Sequence, residues 1–391
     1  MDSVNYKWPL MKETITLGDR LEMIKFVATT GKFTNGDKVK KFESEWNEWL
    51  GSQHSLFVSS GSTANFLLLA AVKEYLGLKN GDKVLVPACT WMTNVAPIIQ
   101  LGLQPVFCDI NMFNYSFNKQ HLETLSILHK DIKVIFVTHL LGFPSWEVEY
   151  FKEYFPNAII LDDVCESHGV SRSGEKVGSN SVGATFSFYF GHHMTTIEGG
   201  MVSTRNEDLY DLMKMKRSHG MSRESIHANE YAIKYPKMDP SFLFITDGYN
   251  FRNHEIPAVL GSSQLKRLDG MIKKRKENYR LFLKLIRKHE DKFYIPYDRG
   301  GDSNFAFPIV SKRELTHSIL KSKLHKAGIE KRPIVSGNLL EHPFLKQYKM
   351  AQAGPETPQV KIVHERGLYV GNNHFVGEKE ISMLEEIFDE L

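Results

Sequence analysis

Between Leu56 and Asp163, short apolar runs alternate with amphipathic stretches at intervals that few architectures accommodate. Leu56-Phe-Val58, Lys83-Val-Leu-Val-Pro87, Pro105–Ile110, Lys133–Leu140 and Ala158–Asp163 have the length and apolar content of buried strands. The gaps carry helical periodicity: from the Ser59–Asn65 run to about Leu76, then Val95–Leu101, Asn118–Leu128 and Trp146–Phe155. Strands joined through helices lie parallel and are buried on both faces, so the rhythm predicts an α/β protein with a mostly parallel sheet. Ligands on such sheets sit at the carboxyl ends of the strands, and the polar residues there are the ones to weigh.

The flanks are helical. Helices are expected over Leu17–Thr29 and Lys38–Leu50, with a turn at Phe33-Thr-Asn-Gly36 between them, and over Asn206–Arg217. Met221 to Asp247 has no clear period, and its aromatic content favours an ordered loop. Glu255 to His289 reads as one long, broken helical run. With 391 residues the chain suits two domains, and the boundary falls at this run: residues 1–255 and 256–391. In the second part a strand (Asn304–Val310), a helix (Glu314–Lys326) and a closing helix (Glu378–Leu391) predict a small α+β unit. Lys331–Asn338 and Gly367–His374 read as polar, glycine-marked loops.

A formal charge of +3 gives no electrostatic case for nucleic acid, and Lys38–Lys41 and Lys273–Lys276 read as solvated helix faces. No apolar run approaches the ~18 residues of a membrane span, and Met1–Lys12 lacks the apolar core of a signal peptide. Cys89, Cys108 and Cys165 form neither a Cys-x-x-Cys pair nor a metal-spaced cluster. A reducing compartment, hence a cytoplasmic soluble protein without a bound metal, is expected.

Chemistry is suggested at four places. Ser59-Ser-Gly-Ser-Thr-Ala-Asn65 opens a helix with small hydroxyl residues and a glycine. Such a start presents free N–H groups and a positive dipole end to a phosphate, or caps the helix with no ligand at all. Trp91, just after a strand, would stack on a flat ring or be an ordinary half-buried tryptophan. Asp162-Asp163-Val-Cys-Glu-Ser-His168 ends a strand in two carboxylates that point to opposite faces. One would hold a cationic group such as a protonated pyridine nitrogen, with Glu166 near it; an N-cap and a metal site of Asp, Cys and His are the competing readings. Last, Thr185–Thr204 leaves a strand at Ser187, turns through His192-His193 and returns after Glu198-Gly-Gly200.

These residues, in this order, resemble the DegT/DnrJ/EryC/StrS aminotransferases, pyridoxal-phosphate enzymes of nucleotide-sugar metabolism. Gly31-Lys-Phe-Thr-Asn-Gly36, Ser60-Gly-Ser-Thr-Ala64, the Asp-Asp-x-x-Glu run, Ser187-Phe188, Glu198-Gly-Gly200, Gly248-Tyr-Asn250 and Arg332-Pro333 carry the resemblance over essentially the whole chain. The family places a Schiff-base lysine where this chain has His192, and Lys176 and Lys214 are the nearest lysines on either side. The resemblance is strongest to a branch that makes the same exchange and eliminates water from C3 of a GDP-linked 4-keto-6-deoxy-D-mannose.

The resemblance implies an aspartate-aminotransferase-like (fold type I) large domain with a mostly parallel seven-stranded sheet and a small C-terminal α+β domain. It implies pyridoxal 5'-phosphate and its amine form, pyridoxamine 5'-phosphate, as cofactors, L-glutamate as the amine donor, and a homodimer with shared active sites. His192 would be the catalytic base, for which a pKa near neutrality is expected. Ser60, Gly61, Ser62, Thr63 and Ser187 would hold the phosphate, Asp163 and Glu166 the ring nitrogen, Trp91 the ring face, and Asn250 the phosphate across the dimer. His219, Arg223, Arg332 and Asn338 would meet the sugar or glutamate, and His193 is structural rather than catalytic. A sister branch adds a cysteine-ligated iron–sulfur cluster, which three dispersed cysteines, one short of four ligands, exclude. The alternatives are a nucleotide-sugar aminotransferase using another lysine and a cofactor-binding protein without turnover.

Overall fold

The structure, a computed structural model, describes residues 6–348, 352–353 and 356–391. Met1–Asn5, part of the stretch read for a signal peptide, lie outside the described residues.

The predicted rhythm produces one large sheet. Its strands are β1 (His54–Val58), β2 (Lys83–Pro87), β3 (Gln104–Cys108), β4 (Ile132–Thr138), β5 (Ile159–Asp163), β6 (Gly183–Ser187) and β7 (Gly200–Thr204). They lie in the order β1-β7-β6-β5-β4-β2-β3, and a two-residue strand, Gln352–Ala353, pairs parallel at the outer edge of β3. Only β7 runs against the rest, antiparallel to both β1 and β6. The expected parallel seven-stranded core is therefore present, with one added edge pairing. The central strands are buried toward their carboxyl ends, as strands covered on both faces are.

A smaller sheet is wholly antiparallel, in the order Phe293–Tyr294, Ala306–Ser311, Gly367–Gly371, Lys331–Pro333. Two of these strands lie in the segments expected to be loops. Lys331–Pro333 and Gly367–Gly371 pair with each other, so backbone hydrogen bonds outweigh their glycine and proline content. The Met221–Asp247 segment is ordered around a short helix, Ala228–Lys234, none of whose side chains is buried.

The long run beginning at Glu255 is one unbroken helix to Arg287, 33 residues, not the broken run expected. Its small residues face partners instead of breaking it: a Cβ at Gly261 would lie 2.6 Å from the Phe42 ring. Ser263, Gln264 and Arg267 all donate to buried Asp19 of helix Leu17–Thr29. The basic run on this helix is also not uniformly solvated. Arg275 is buried and donates to the carbonyls of Phe305 (3.1 Å) and Asn372, stitching the helix to the small sheet.

Candidate active site

The polar residues singled out above gather where β1, β2, β5 and β6 end. Helix Gly61–Tyr75 starts there with a capping box: Ser60 Oγ accepts from Thr63 N at 3.1 Å, and Thr63 Oγ1 accepts from Ser60 N at 3.0 Å. The capping reading of Ser60 and Thr63 is thus correct for their hydroxyls. The backbone N–H groups of Gly61 and Ser62 have no partner among the described residues. Together with the helix dipole they form an anion site. Two close approaches shape it. A Cβ on Gly61 would sit 2.5 Å from Ser187 Cβ, and one on Gly200 would sit 2.2 Å from the Ser60 carbonyl oxygen. Ser187 and Gly200 are themselves paired across β6 and β7. Absent side chains and unpaired donors fit a phosphate group.

The two carboxylates at the end of β5 diverge, as the pleat requires. Asp162 accepts from His139 Nε2 at 2.9 Å and from Ser181. His139 Nδ1 accepts from Ser145 N, which fixes the proton on Nε2. Burial pushes the Asp162 carboxyl up, but these donors and Arg172 outweigh it and hold it below the usual range. Asp163 faces the other way, where Asn65 Nδ2 (2.9 Å) and Asn94 Nδ2 (2.8 Å) both donate to Oδ2. Cys165 N donates to Oδ1 at 2.9 Å. Glu166 is half-buried, accepts from Leu141 N at 3.0 Å, and is pushed up to about 7 by burial and by Asp163. The metal alternative has no geometric support, because His168 sits against Phe186, Phe188 and Trp46 rather than beside the carboxylates.

His192 lies in the turn after β6, half-buried between Tyr189, His168 and Phe305. Its Nδ1 is buried without a partner, and Nε2 is the nitrogen left to solvent. The expected near-neutral pKa is not what this environment gives. Burial, with buried Arg275 nearby, holds the imidazole down to about 3, so it is an uncharged base across the ordinary pH range. His193 points inward and bonds the Ser303 carbonyl through Nε2 at 2.9 Å, in keeping with a structural role.

The remaining candidates divide. Trp91 is 55% exposed just beyond β2, so its ring is free to cover a flat ligand. Asn250 is exposed, accepting from Arg252 Nε at 3.1 Å. His219 is half-buried at φ 66°, beside Arg252. Arg223 bonds the Ser241 carbonyl at 3.2 Å on the protruding segment, and exposed Arg332 lies 3.7 Å from Glu330. Among the described residues, Asn338 keeps only its amide nitrogen free for a ligand. It is buried, and its Oδ1 caps a short turn by accepting from Leu340 N. The sequence reading missed Asn65 and Asn94. Both stand in or beside quoted runs, but only tertiary structure brings their amides to Asp163. A cavity of about 310 Å³ beside Trp146, Glu147 and Tyr297 shares no residue with this set.

The histidine cluster has a thermodynamic consequence. His168 and His193 are, like His192, held well below the usual value by burial. A histidine neutral when folded takes up a proton on unfolding, so it costs nothing above pH 6.5. Below that the cost grows, reaching about 1.4 kcal/mol per group at pH 5.5. His168→Phe, which keeps the aromatic packing, should therefore lose about 1.4 kcal/mol less stability than wild type between pH 7.5 and 5.5. Denaturant titrations at both pH values measure this, and an identical pH response in the variant would refute the buried, uncharged His168.

A model of the DegT/DnrJ/EryC1/StrS aminotransferase family matches residues 16–381. A GDP-4-keto-6-deoxy-D-mannose 3-dehydratase of Yersinia pseudotuberculosis is 35% identical over 377 residues, 93% of this chain and 94% of that one. The solved structure of the E. coli GDP-4-keto-6-deoxy-D-mannose-3-dehydratase with bound hydrated PLP superposes with a TM-score of 0.88 at 30% identity, covering 98% of this chain and 99% of that one. A GDP-4-keto-6-deoxymannose-3-dehydratase with a trapped PLP-glutamate geminal diamine superposes equally well, TM-score 0.88 at 29% identity, over 98% and 100% of the two chains.

Proposed function

This chain belongs to the DegT/DnrJ/EryC1/StrS aminotransferase family, and from that premise we propose that it is a lyase of deoxysugar biosynthesis. It removes the C3 hydroxyl of GDP-4-keto-6-deoxy-D-mannose as water, with pyridoxamine phosphate as cofactor and L-glutamate restoring the amine form. One observation carries this: the side chain at the family's lysine position is His192, uncharged and half-buried at the end of β6, with no lysine between Lys176 and Lys214. An imidazole takes and returns protons but forms no lasting covalent bond with an aldehyde.

When bound, pyridoxamine phosphate supplies the amine for the sugar ketone and the electron sink for elimination. The residues of this chain supply placement and proton transfer. The N–H groups of Gly61 and Ser62, with Ser60, Thr63 and Ser187 around them, hold the phosphate at the helix start. Asp163 would accept a hydrogen bond from the protonated ring nitrogen and keep it charged, with Glu166 beside it. The Trp91 ring covers the exposed face and keeps water off it. His192 Nε2, the uncharged base, would take a proton from the carbon that bears the cofactor's amine and, as imidazolium, return it to the C3 hydroxyl so that it leaves as water. Arg332, Arg223 and His219 are exposed or half-buried groups suited to the anionic parts of the sugar nucleotide or glutamate.

The working unit is a homodimer in which Asn250 of the partner subunit reaches the phosphate. The exposed apolar side chains Ile233, Phe242 and Phe244 near that segment suit burial against a second copy. Unpaired Cys89, Cys108 and Cys165 suit the cytoplasm. Purified protein, pyridoxal phosphate and glutamate, offered GDP-4-keto-6-deoxymannose and its CDP- and dTDP-linked analogues, test the reading. The GDP sugar should yield a 3-deoxy-4-keto product fastest. An amino sugar as product, or a cofactor that borohydride fixes to the wild-type chain, would sink it.

A further inference from the structure

We propose that Asn94 and Asn65 are positioning residues that aim Asp163 Oδ1 at the cofactor's ring nitrogen, and that Thr138 and Thr90 aim Asn94 in turn. The inference rests on the reading of Asp163 as the ring-nitrogen partner.

The argument is one of hydrogen-bond directions. Thr185 Oγ1 donates to Asn65 Oδ1 at 2.6 Å, which turns the Asn65 amide nitrogen onto Asp163 Oδ2. On the other side Thr90 Oγ1 donates to Asn94 Oδ1 at 2.9 Å, which turns the Asn94 nitrogen onto the same oxygen. Having spent its proton there, Thr90 must accept from Thr138 Oγ1, 2.6 Å away. Either amide reversed would set oxygen against oxygen, so no flip is tolerated. All six side chains are buried, and they come from five separate parts of the sheet and its helices. The network is directional, running from two hydroxyl ends to one carboxylate, with one side branch from Asn65 Nδ2 to Thr93 Oγ1 at 3.3 Å.

A carboxylate offers about four acceptor positions. On Asp163, Asn65 and Asn94 occupy the two of Oδ2, and Cys165 N occupies one of Oδ1. One position remains, on Oδ1. A carboxylate free to rotate would share its charge among several poses. This one presents a single acceptor in a single direction, as the in-plane N–H of a pyridinium ring requires. Ser336 Oγ also donates to the Thr90 carbonyl at 2.6 Å, so the loop following Arg332 braces the same support.

The test compares pyridoxamine phosphate with its 1-deaza analogue, in which carbon replaces the ring nitrogen. Dissociation constants are measured by fluorescence titration of the full-length protein freed of cofactor by dialysis. Asn94→Leu, of nearly the same shape, should weaken pyridoxamine phosphate about tenfold or more. It should leave the deaza analogue within about twofold. Thr90→Val, a milder change that spares the fold if Asn94→Leu does not, should show the same pattern at about threefold. In an Asp163→Ala background neither substitution should add to the loss. Equal weakening of both ligands, or no weakening of either while wild type still prefers pyridoxamine phosphate, overturns the inference alone. A wild type that binds the two ligands equally overturns the role of Asp163, and the inference with it.

Discussion

With lysine in place of His192, sugar dehydration falls about 10²- to 10⁴-fold, and the protein acquires a covalent bond to pyridoxal phosphate that borohydride makes permanent. The first half follows from what is lost. Positioned general acid–base groups contribute about 10²- to 10⁴-fold, and His192 Nε2 is the group open to a substrate at this turn. The second half follows from what is gained. The position adjoins the phosphate cradle through Ser187, and burial near Arg275, which suppresses the charge of the imidazole, would likewise favour an uncharged, nucleophilic amine. Mass spectrometry after reduction and a product assay with the GDP sugar read the two halves separately. Dehydration at the wild-type rate in this variant would remove His192 from the mechanism, whatever the cofactor does.

Gly200→Ala drives a methyl group into the backbone of the phosphate cradle. Its Cβ would lie 2.2 Å from the Ser60 carbonyl oxygen and 2.8 Å from Gly61 N, both backbone atoms. Neither side can yield easily. Ser60 is fixed by its capping box, and Gly200 is paired with Val58 on one side and Ser187 on the other. The peptide that presents the Gly61 N–H must therefore move. We expect pyridoxamine phosphate affinity to fall about 100-fold, equivalent to two phosphate hydrogen bonds to a charged group. Stability should fall by about 1–3 kcal/mol, as overpacking generally costs. Pyridoxamine lacking the phosphate should bind both proteins alike in equilibrium dialysis. An alanine variant that keeps the phosphate preference would show that the helix start is a cap and nothing more.

What the sequence made legible were features whose cause is local. β2 and helix Leu17–Thr29 fall where the pattern put them, because strand composition and a 3.6-residue period act within a few residues. The histidine at a lysine position is legible for the same reason: it is a matter of spacing along one turn. Asn94 and Arg275 were illegible because burial decides their meaning. An asparagine three residues after Trp91 looks like turn chemistry until Asp163 arrives from β5, and Arg275 looks solvated until the small sheet supplies its carbonyls. Asn338 is half legible: a glycine-marked polar loop suggests a ligand contact, and its Oδ1 is taken up by its own turn while Nδ2 has no partner among the described residues. The Glu255–Arg287 helix is unbroken because packing on Phe42 and hydrogen bonds to Asp19 outweigh the low helix propensity of its small residues.

β7, the one strand that runs against the others, fixes the order in which the molecule can be assembled. The phosphate cradle begins at Gly61, but its wall is Gly200, roughly 140 residues later in the chain. β7 must also enter between β1, made long before it, and β6, made just before it. A chain emerging from the ribosome can therefore wind helix Gly61–Tyr75 and align β2 to β5 without having any binding site at all. The site comes into being when the last central strand is inserted, so cofactor capture reports completion of the sheet rather than guiding its early steps.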